Sequence, residues 1–409
     1  MARRKPDRLR RLKWKLQPSL PSAARVQARP PMAARKSQQA ARLKPQACKR
    51  SKVRNAKSNW FLFLLTGFLV ACNSDIAANK TALSAPSPAE ARGNDGFAAL
   101  RAASCPDPSA FITPQSIDLT VTPIIPDSLD GTAVNGLTFA GAWHLTSDDP
   151  NFGGLSGLAV HPKDHLLAIS DNGAFIWISM LGNAPSGFAA KSFMRGANGD
   201  PIDGKDDADA EGLALIDGLA LVSFERNHRV AAFDLGNCGA AARAASVTQI
   251  PSLPDGLGRA IPGNQGAEAL VLSADNKLLA GLELKSKQGA PIVQIGPEES
   301  QLQQYLPRPS GKRLVGLDDF GGTLFALFRS YSPLTGNENI IHAHYPGAPE
   351  PVEIAALKRP FPVDNFEGIT AALLPDGTVR LYIISDDNFS DRQRTLLMAF
   401  DVVPASSGD

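Results

Sequence analysis

Carboxylate side chains recur at two fixed points of a pattern that the chain repeats five times. Each copy has a short apolar run opened by a small residue, then a turn, then a second apolar run that ends at a polar or charged residue. The copies span 154–173, 209–227, 266–284, 314–330 and 365–388. The residues directly before the small residue are Ser156, Glu211, Glu268, Val315 and Glu367. The residues that end the second run are Asp171, Glu225, Glu283, Arg329 and Asp386.

Four of these carboxylates are the predicted catalytic residues: Glu211, Glu268, Glu367 and Asp171. Crowded carboxylates repel one another unless protons or cations lie between them. Ligand sets made only of oxygen, placed on irregular loops, suit Ca²⁺. The pattern therefore predicts a calcium-binding acidic site.

The most acidic segment is the loop 200–211, which has six acids in twelve residues. It does not fit an EF-hand, because the acids fall at other offsets and the central glycine is absent. The predicted calcium ligands are Asp206, Asp207, Asp209, Glu211, Glu225, Glu283 and Asp386. In the alternative interpretation, these side chains only brace neighbouring repeats through backbone N–H groups.

Arginine and asparagine side chains stand beside the acids and predict an anionic ligand. Arg226 and Arg329 can hold a phosphate or a carboxylate, and Asn172 and Asn388 complete the predicted substrate-binding set. The alternative is that both arginines form salt bridges between repeats. We expect a small anionic substrate or ligand at this site.

The repeat also predicts the fold. Each copy reads as a β-hairpin followed by further strand-like runs, and the small residues lie 47 to 57 positions apart. This period is typical of a β-propeller, so we predict an all-β protein with five to six four-stranded blades. Five units can be counted, with 137–144 closing the last one, while strand-like residues within 111–135 leave a sixth blade open.

The fold also predicts where the carboxylates lie. We call the residues directly before each small residue the ring residues, and we expect them to surround the channel at one mouth. We call the residues that end each second run the rim residues, and we expect them to lie beside the ring residues.

Charge divides the chain into unlike parts. Net charge is +2 overall, but residues 1–71 hold 19 Lys and Arg and one acid. Residues 72–409 therefore hold 23 basic and 39 acidic residues, a net charge of −16. An acidic body argues against nucleic acid as a partner. We expect three parts: a basic leader with a signal peptide (1–71), a flexible tether (72–114) and a propeller (115–409), which we expect to be a monomer.

The leader predicts export. Residues 60–71 form an uncharged apolar run that is too short to span a bilayer but fits a signal peptide. The sequence that ends at Cys72 resembles a lipoprotein box, which predicts lipidation of Cys72 and a membrane anchor. Asn73 favours the outer membrane, and a plain signal peptide is the alternative. The unusual segment 1–52 favours a true translation start near Val53.

Two further cysteines predict a disulfide. Cys105 and Cys238 remain once Cys48 is assigned to the leader and Cys72 to the lipid. In an oxidising compartment two such thiols favour a bond. Two free buried thiols are the alternative.

Several motifs resemble a known family. The segments 156–158, 209–213, 264–268 and 365–369, together with 385–390, are similar to those of phytase-like proteins of the "esterase-like activity of phytase" family. The resemblance covers about 135–403 and implies a β-propeller, an exported bacterial protein and a hydrolase.

These observations leave three functions open. The first is a calcium-assisted hydrolase of phosphoesters or related esters. The second is a non-enzymatic propeller that binds or scaffolds a partner at the cell envelope. The third is a lactonase-type hydrolase with one calcium ion in the channel.

Overall fold

The N-terminal elements add to the edges of a larger β-structure. A computed structural model describes residues 97–126, 132–162, 164–250, 260–284, 286–296 and 300–403. The first elements are a helix, a short 3-10 turn and three short strands: α1 (Ala98–Ser104), Pro108–Ala110, β1 (Gln115–Asp118), β2 (Thr120–Pro123) and β3 (Thr132–Val134). The leader and the predicted lipid site at Cys72 lie outside the described residues.

The remaining strands form five antiparallel sheets, which are the blades. After β4 (Leu137–Thr146), blade 1 contains β5 (Leu155–His161), β6 (His165–Ser170), β7 (Ala174–Leu181) and β8 (Ala184–Phe193). Blade 2 contains β9 (Ala210–Ile216), β10 (Leu219–Phe224), β11 (Arg229–Asp234) and β12 (Ala245–Gln249), with helices α2 (Lys205–Ala208) and α3 (Leu235–Cys238). Blade 3 contains β13 (Ala267–Leu272), β14 (Leu278–Leu282), β15 (Ala290–Ile295) and β16 (Ser300–Leu306). Blade 4 contains β17 (Arg313–Phe320), β18 (Thr323–Ser332), β19 (Gly336–His344) and β20 (Val352–Leu357). Blade 5 contains β21 (Phe366–Leu373), β22 (Val379–Ser385) and β23 (Leu396–Val402), completed by β4.

An N-terminal strand closes the ring. β4 pairs with β23, with Leu397 opposite Trp143, as the sequence predicts for 137–144. The strand-like residues within 111–135 do not build a sixth blade. They form β1, β2 and β3, which pair with the outer strands β8, β4 and β20. The propeller therefore has five blades, and the six-blade alternative is wrong. These short strands cover edges that would otherwise expose unpaired backbone groups.

The small residues of the repeat allow neighbouring inner strands to approach closely. A Cβ atom added to Gly157 would lie 2.9 Å from the Cβ atom of Leu213 in the next blade. A Cβ atom added to Gly368 of blade 5 would lie 2.9 Å from Leu158 of blade 1. Both distances are shorter than any ordinary contact between carbon atoms. A side chain at either of these two positions would therefore push the neighbouring strands apart.

Apolar side chains fill the spaces between adjacent sheets. Phe175 of blade 1 and Phe233 of blade 2 meet edge to face, with ring centroids 5.3 Å apart. Both rings are almost completely buried, and burial of such a side chain contributes about 1.5–3 kcal/mol. Each blade thus covers the face of the next, and together they hold the inner strands in place.

A β-bulge occurs at the ring position of every blade. In blade 1, Leu155 pairs with Ser170 and Gly157 with Ile169, so Ser156 has no partner in the ladder. The pairing skips Glu268, Val315 and Glu367 in the same way. In blade 2 the register shifts across the segment that contains Glu211. A bulge redirects the side chain of the extra residue, and here it does so next to the channel.

The segment 97–114, predicted as the end of the tether, packs against blade 2. Arg101 in α1 donates hydrogen bonds to the carbonyl oxygens of Ile216 and Asp217. Cys105 and Cys238 form a disulfide with their Cα atoms 5.6 Å apart. These contacts hold the segment on the blade. Among the described residues, no helix has the length and apolar character needed to cross a membrane.

Candidate functional site: an acidic channel mouth

The ring residues surround a narrow cavity on the propeller axis. All five of them line it, each with the two residues that follow. The cavity has a volume of about 10 Å³, which is on the order of the space taken by one water molecule. Three of the five ring residues are glutamates, so this mouth of the channel is acidic.

The rim residues add further charges around the ring. Asp171, Glu225, Glu283 and Asp386 directly follow the second strands of their blades, and Arg329 lies within β18. The Asp386 carboxylate accepts the N–H of Asn388 at 2.6 Å. The Glu225 carboxylate accepts the N–H of Gly266 at 3.4 Å. Ring and rim residues therefore share one face, as the hairpin geometry predicts.

Cationic side chains pair with part of this charge. Lys205 Nζ lies 2.7 Å from Asp171 Oδ2 and 2.5 Å from Asp209 Oδ1. Arg226 Nε donates to the second oxygen of Asp209 at 2.7 Å. Arg329 Nη2 lies 3.1 Å from Glu367 Oε1 and 3.8 Å from Glu283 Oε1.

Carboxylates nevertheless outnumber cations at the mouth. Arg313 also pairs with Glu283, which brings the described cations paired with this set to four: Lys205, Arg226, Arg313 and Arg329. The ring residues, the rim residues and Asp209 together provide eight carboxylates: Asp171, Asp209, Glu211, Glu225, Glu268, Glu283, Glu367 and Asp386. No described basic side chain forms an ion pair with Glu211 or Glu268. Such a cluster needs additional cations or protons.

The excess of negative charge, together with burial, raises the pKa of carboxyl groups at the mouth. Burial, with the Glu367 and Asp209 carboxylates nearby, holds the pKa of Glu211 well above its ordinary value. Burial, together with Glu211 and Glu283, does the same to the pKa of Glu268. Such groups hold a proton more readily than ordinary carboxyl groups do.

Three carboxylates are close enough to share one metal ion. One oxygen atom from each of Asp209, Glu211 and Glu225 lies within 4.8 Å of the other two. The donors are all oxygen atoms, which suits a hard divalent cation. Asp209 already contacts Lys205 and Arg226, so a cation bound there would compete with these two side chains.

Other predicted site residues lie at the edge of the mouth or outside it. Asp206 and Asp207 lie in α2, and the Asp206 side chain is 90% exposed and 3.8 Å from Arg226. Asp207 accepts a hydrogen bond from Asn227. Asn388 is exposed, while Asn172 has a buried side-chain oxygen that accepts no hydrogen bond from the described residues. The structure therefore does not bring Asp206 and Asp207 to the three-carboxylate cluster.

Sequence reasoning missed three residues that organise the mouth: Lys205, Arg313 and Asn365. Asn365 accepts a hydrogen bond from Arg329 and donates one to Glu367 at 3.0 Å. Arg313 and Asn365 each stand two positions before a ring residue, and alternate residues of a strand share a face. That spacing is a signal from which both could have been found. Lys205 stands four residues before Asp209, but its contact with Asp171 crosses from blade 2 to blade 1.

Five four-stranded blades around a narrow channel, with carboxylates at one mouth, define a β-propeller with an acidic axial site. The family described as "Phytase-like: Esterase-like activity of phytase" matches residues 150–389. The chain belongs to this family, which confirms the resemblance seen in the motifs.

The solved structures that match the chain are distant in sequence and align with low TM-scores. An aldose sugar dehydrogenase from Streptomyces coelicolor is 12% identical with a TM-score of 0.35, covering 66% of this chain and 97% of that one. The allergen Mala s 1 from Malassezia sympodialis is 12% identical with a TM-score of 0.35, covering 71% and 97%. An endo-arabinase from Bacteroides thetaiotaomicron is 10% identical with a TM-score of 0.38, covering 63% and 96%. No curated protein matches the chain.

Proposed function

We propose that the acidic mouth binds Ca²⁺ and that the protein is a calcium-assisted hydrolase of phosphoesters or related esters. The observation that carries this proposal is the excess of eight carboxylates over four cations at one mouth. Asp209, Glu211 and Glu225 offer oxygen atoms within 4.8 Å of one another and fit a calcium ion by their chemistry.

The residues around these carboxylates suit an anionic substrate. When bound, a calcium ion neutralises charge on the substrate and lowers the pKa of bound water. Arg226 and Lys205 have side chains that are 40% and 52% exposed, so both can turn toward an anion. Glu268, whose pKa is raised by burial, can give or accept a proton beside the ring. Arg329 is held by Glu367 and Glu283 and balances the charge of the ring.

Calcium binding can be tested separately from catalysis. Thermal unfolding is measured with a chelator and with CaCl₂, for the wild type, for Glu211→Gln and for the control Glu350→Gln on an exposed turn. A calcium concentration a hundred times Kd should stabilise the wild type and the control by about 2.7 kcal/mol. The Glu211→Gln variant should gain less. An equal shift in all three proteins, or none, would contradict the proposed site.

Hydrolysis is tested on p-nitrophenyl phosphate, phytate, simple esters and lactones, each with calcium and with a chelator. Calcium-dependent turnover of a phosphoester or an ester supports the proposal. Turnover of lactones alone would favour the lactonase-type reaction. No turnover of any substrate, with calcium bound, would reject both enzyme functions.

A binding propeller is the second candidate. It is favoured by Lys205 and Arg226, which themselves pair with both oxygens of Asp209. In that case the mouth would recognise a partner at the cell envelope by charge. The hydrolysis screen separates the two functions.

We also propose that the protein is exported and anchored by a lipid on Cys72, on the outer membrane, as a monomer. The disulfide between Cys105 and Cys238 supports an oxidising compartment. Labelling of cells with radioactive palmitate should mark the wild type and leave Cys72→Ser unlabelled. Equal labelling of both proteins would exclude this anchor.

A further inference from the structure

A second cavity lies at the opposite end of the channel from the acidic mouth. Its volume is about 210 Å³, far larger than that between the ring residues. It is lined by residues further along the same inner strands, such as Leu213–Leu215 of β9 and Leu270–Leu272 of β13. Val160, which also lines it, is 40% exposed. The cavity is therefore in contact with solvent and has room for a small molecule.

Among the apolar residues that line this second cavity, Val160, Leu215 and Leu272 keep part of their surface exposed, and the polar side chains come from two strands. Strand β17 contributes Asp318 and Asp319, and β21 contributes Thr370 and Ala371. Asp318 Oδ2 accepts the N–H of Ala371 at 2.6 Å and the hydroxyl of Thr370 at 3.5 Å. Asp319 accepts the N–H of Gly322 at 3.0 Å. The backbone thus fixes both carboxylates in place.

Asp318 has no cationic partner among the described residues. At the acidic mouth, by contrast, Asp209 contacts both Lys205 and Arg226. A partly buried carboxylate without a counter-ion is costly, and the cost falls when a cation enters beside it. Loss of hydration raises the pKa of Asp318 to about 7. The second cavity therefore combines free volume with a partly buried carboxylate that has no cationic partner among the described residues.

The residues that line the second cavity determine which kind of cation it can bind. Calcium takes six to eight oxygen ligands, whereas the polar side chains here are two carboxylates and one hydroxyl. The leucine, valine and alanine side chains favour an apolar body. We propose that this cavity binds a small primary alkylammonium ion, with the ammonium group on Asp318 and the alkyl chain against the leucines.

The test uses n-butylammonium chloride and the uncharged n-butanol at pH 8, measured by saturation-transfer NMR and calorimetry. The wild type should bind the ammonium ion at least ten-fold more tightly than the alcohol. Asp318→Asn should lose at least ten-fold in affinity for the ion. The control Asp376→Asn, on an exposed turn that does not line the cavity, should bind as the wild type does.

Two outcomes would overturn the proposal: equal binding of the ion and the alcohol by the wild type, or unchanged affinity in Asp318→Asn. A second variant, Val160→Phe, narrows the cavity from an exposed position and leaves both carboxylates in place. It should also weaken binding, so the test does not depend on the folding of Asp318→Asn alone. Neither variant alters the acidic mouth, and the result is independent of the proposed hydrolase activity.

Discussion

Replacing Asp318 with asparagine should change how the free energy of unfolding depends on pH. Burial raises the pKa of Asp318 from 3.8 to about 7 in the folded protein. The unfolded chain therefore releases this proton at lower pH than the folded protein does. The stability that the protonated carboxyl contributes is complete below the unfolded pKa and is lost as pH rises through about 7.

The size of this effect follows from the two pKa values. A rise from 3.8 to about 7 corresponds to about 4 kcal/mol, since each pKa unit is worth about 1.4 kcal/mol. Because the Asp318 side chain is partly exposed, screening by solvent reduces this figure. Asparagine retains an oxygen atom that can accept the N–H of Ala371, so the variant keeps the local hydrogen bond. Only the ionisation is removed.

The assay is urea denaturation of both proteins at pH 4.5 and pH 8.5. Relative to Asp318→Asn, the wild type should lose about 2–4 kcal/mol between the two pH values. Asp376→Asn is the control, because hydrogen bonds from Thr378 lower the pKa of Asp376 and any dependence has the opposite sign. A constant difference between the wild type and Asp318→Asn would refute the reasoning.

Three further predictions concern other parts of the molecule. Lys205→Gln removes the cation that pairs with Asp171 and Asp209, so it should lower the free energy of unfolding without calcium by about 1–2 kcal/mol. The calcium-induced rise in Tm should become larger, because Lys205 no longer competes with calcium for Asp209. An unchanged rise in Tm would contradict this competition. Gly154→Ala should lower the free energy of unfolding in urea by about 1–3 kcal/mol more than Gly377→Ala does. Both glycines have positive φ, but only a Cβ atom at Gly154 meets other side chains. Equal losses would show that the side chains around Gly154 move aside to admit the added atom. Replacing Cys105 and Cys238 together with serine should reduce stability by about 2–5 kcal/mol, because the bond closes a long loop; reduction of the wild type should reproduce the loss.

The fold could be predicted because its determinants are local. Each glycine that opens an apolar run marks an inner strand, and each turn after it marks a hairpin. The segment 115–134 was ambiguous for a physical reason. Its composition is that of strands, but only the pairing of β1, β2 and β3 with three different blades shows that it adds edges and no blade.

The acidic mouth could be predicted only in part. Glu211, Glu268 and Glu367 follow from their place in the repeat. The cationic partners of the rim residues do not, since Lys205 reaches Asp171 in another blade and Arg313 reaches Glu283 in the blade before its own. Asp206 and Asp207 share the acidic loop with Asp209, yet the turn of α2 directs the Asp206 side chain outward. Contacts between distant segments decide these positions.

The recurring β-bulge separates what holds the blades together from what lines the channel. The ladder skips Ser156, Glu268, Val315 and Glu367, so these side chains can change without loss of a strand pair. Serine and valine already stand at two of the five positions. The ring residues can therefore be replaced while the paired strands stay as they are. Each replacement would raise or lower the charge of the channel mouth by the contribution of one blade. Such a frame allows one propeller to acquire new ligands by few substitutions.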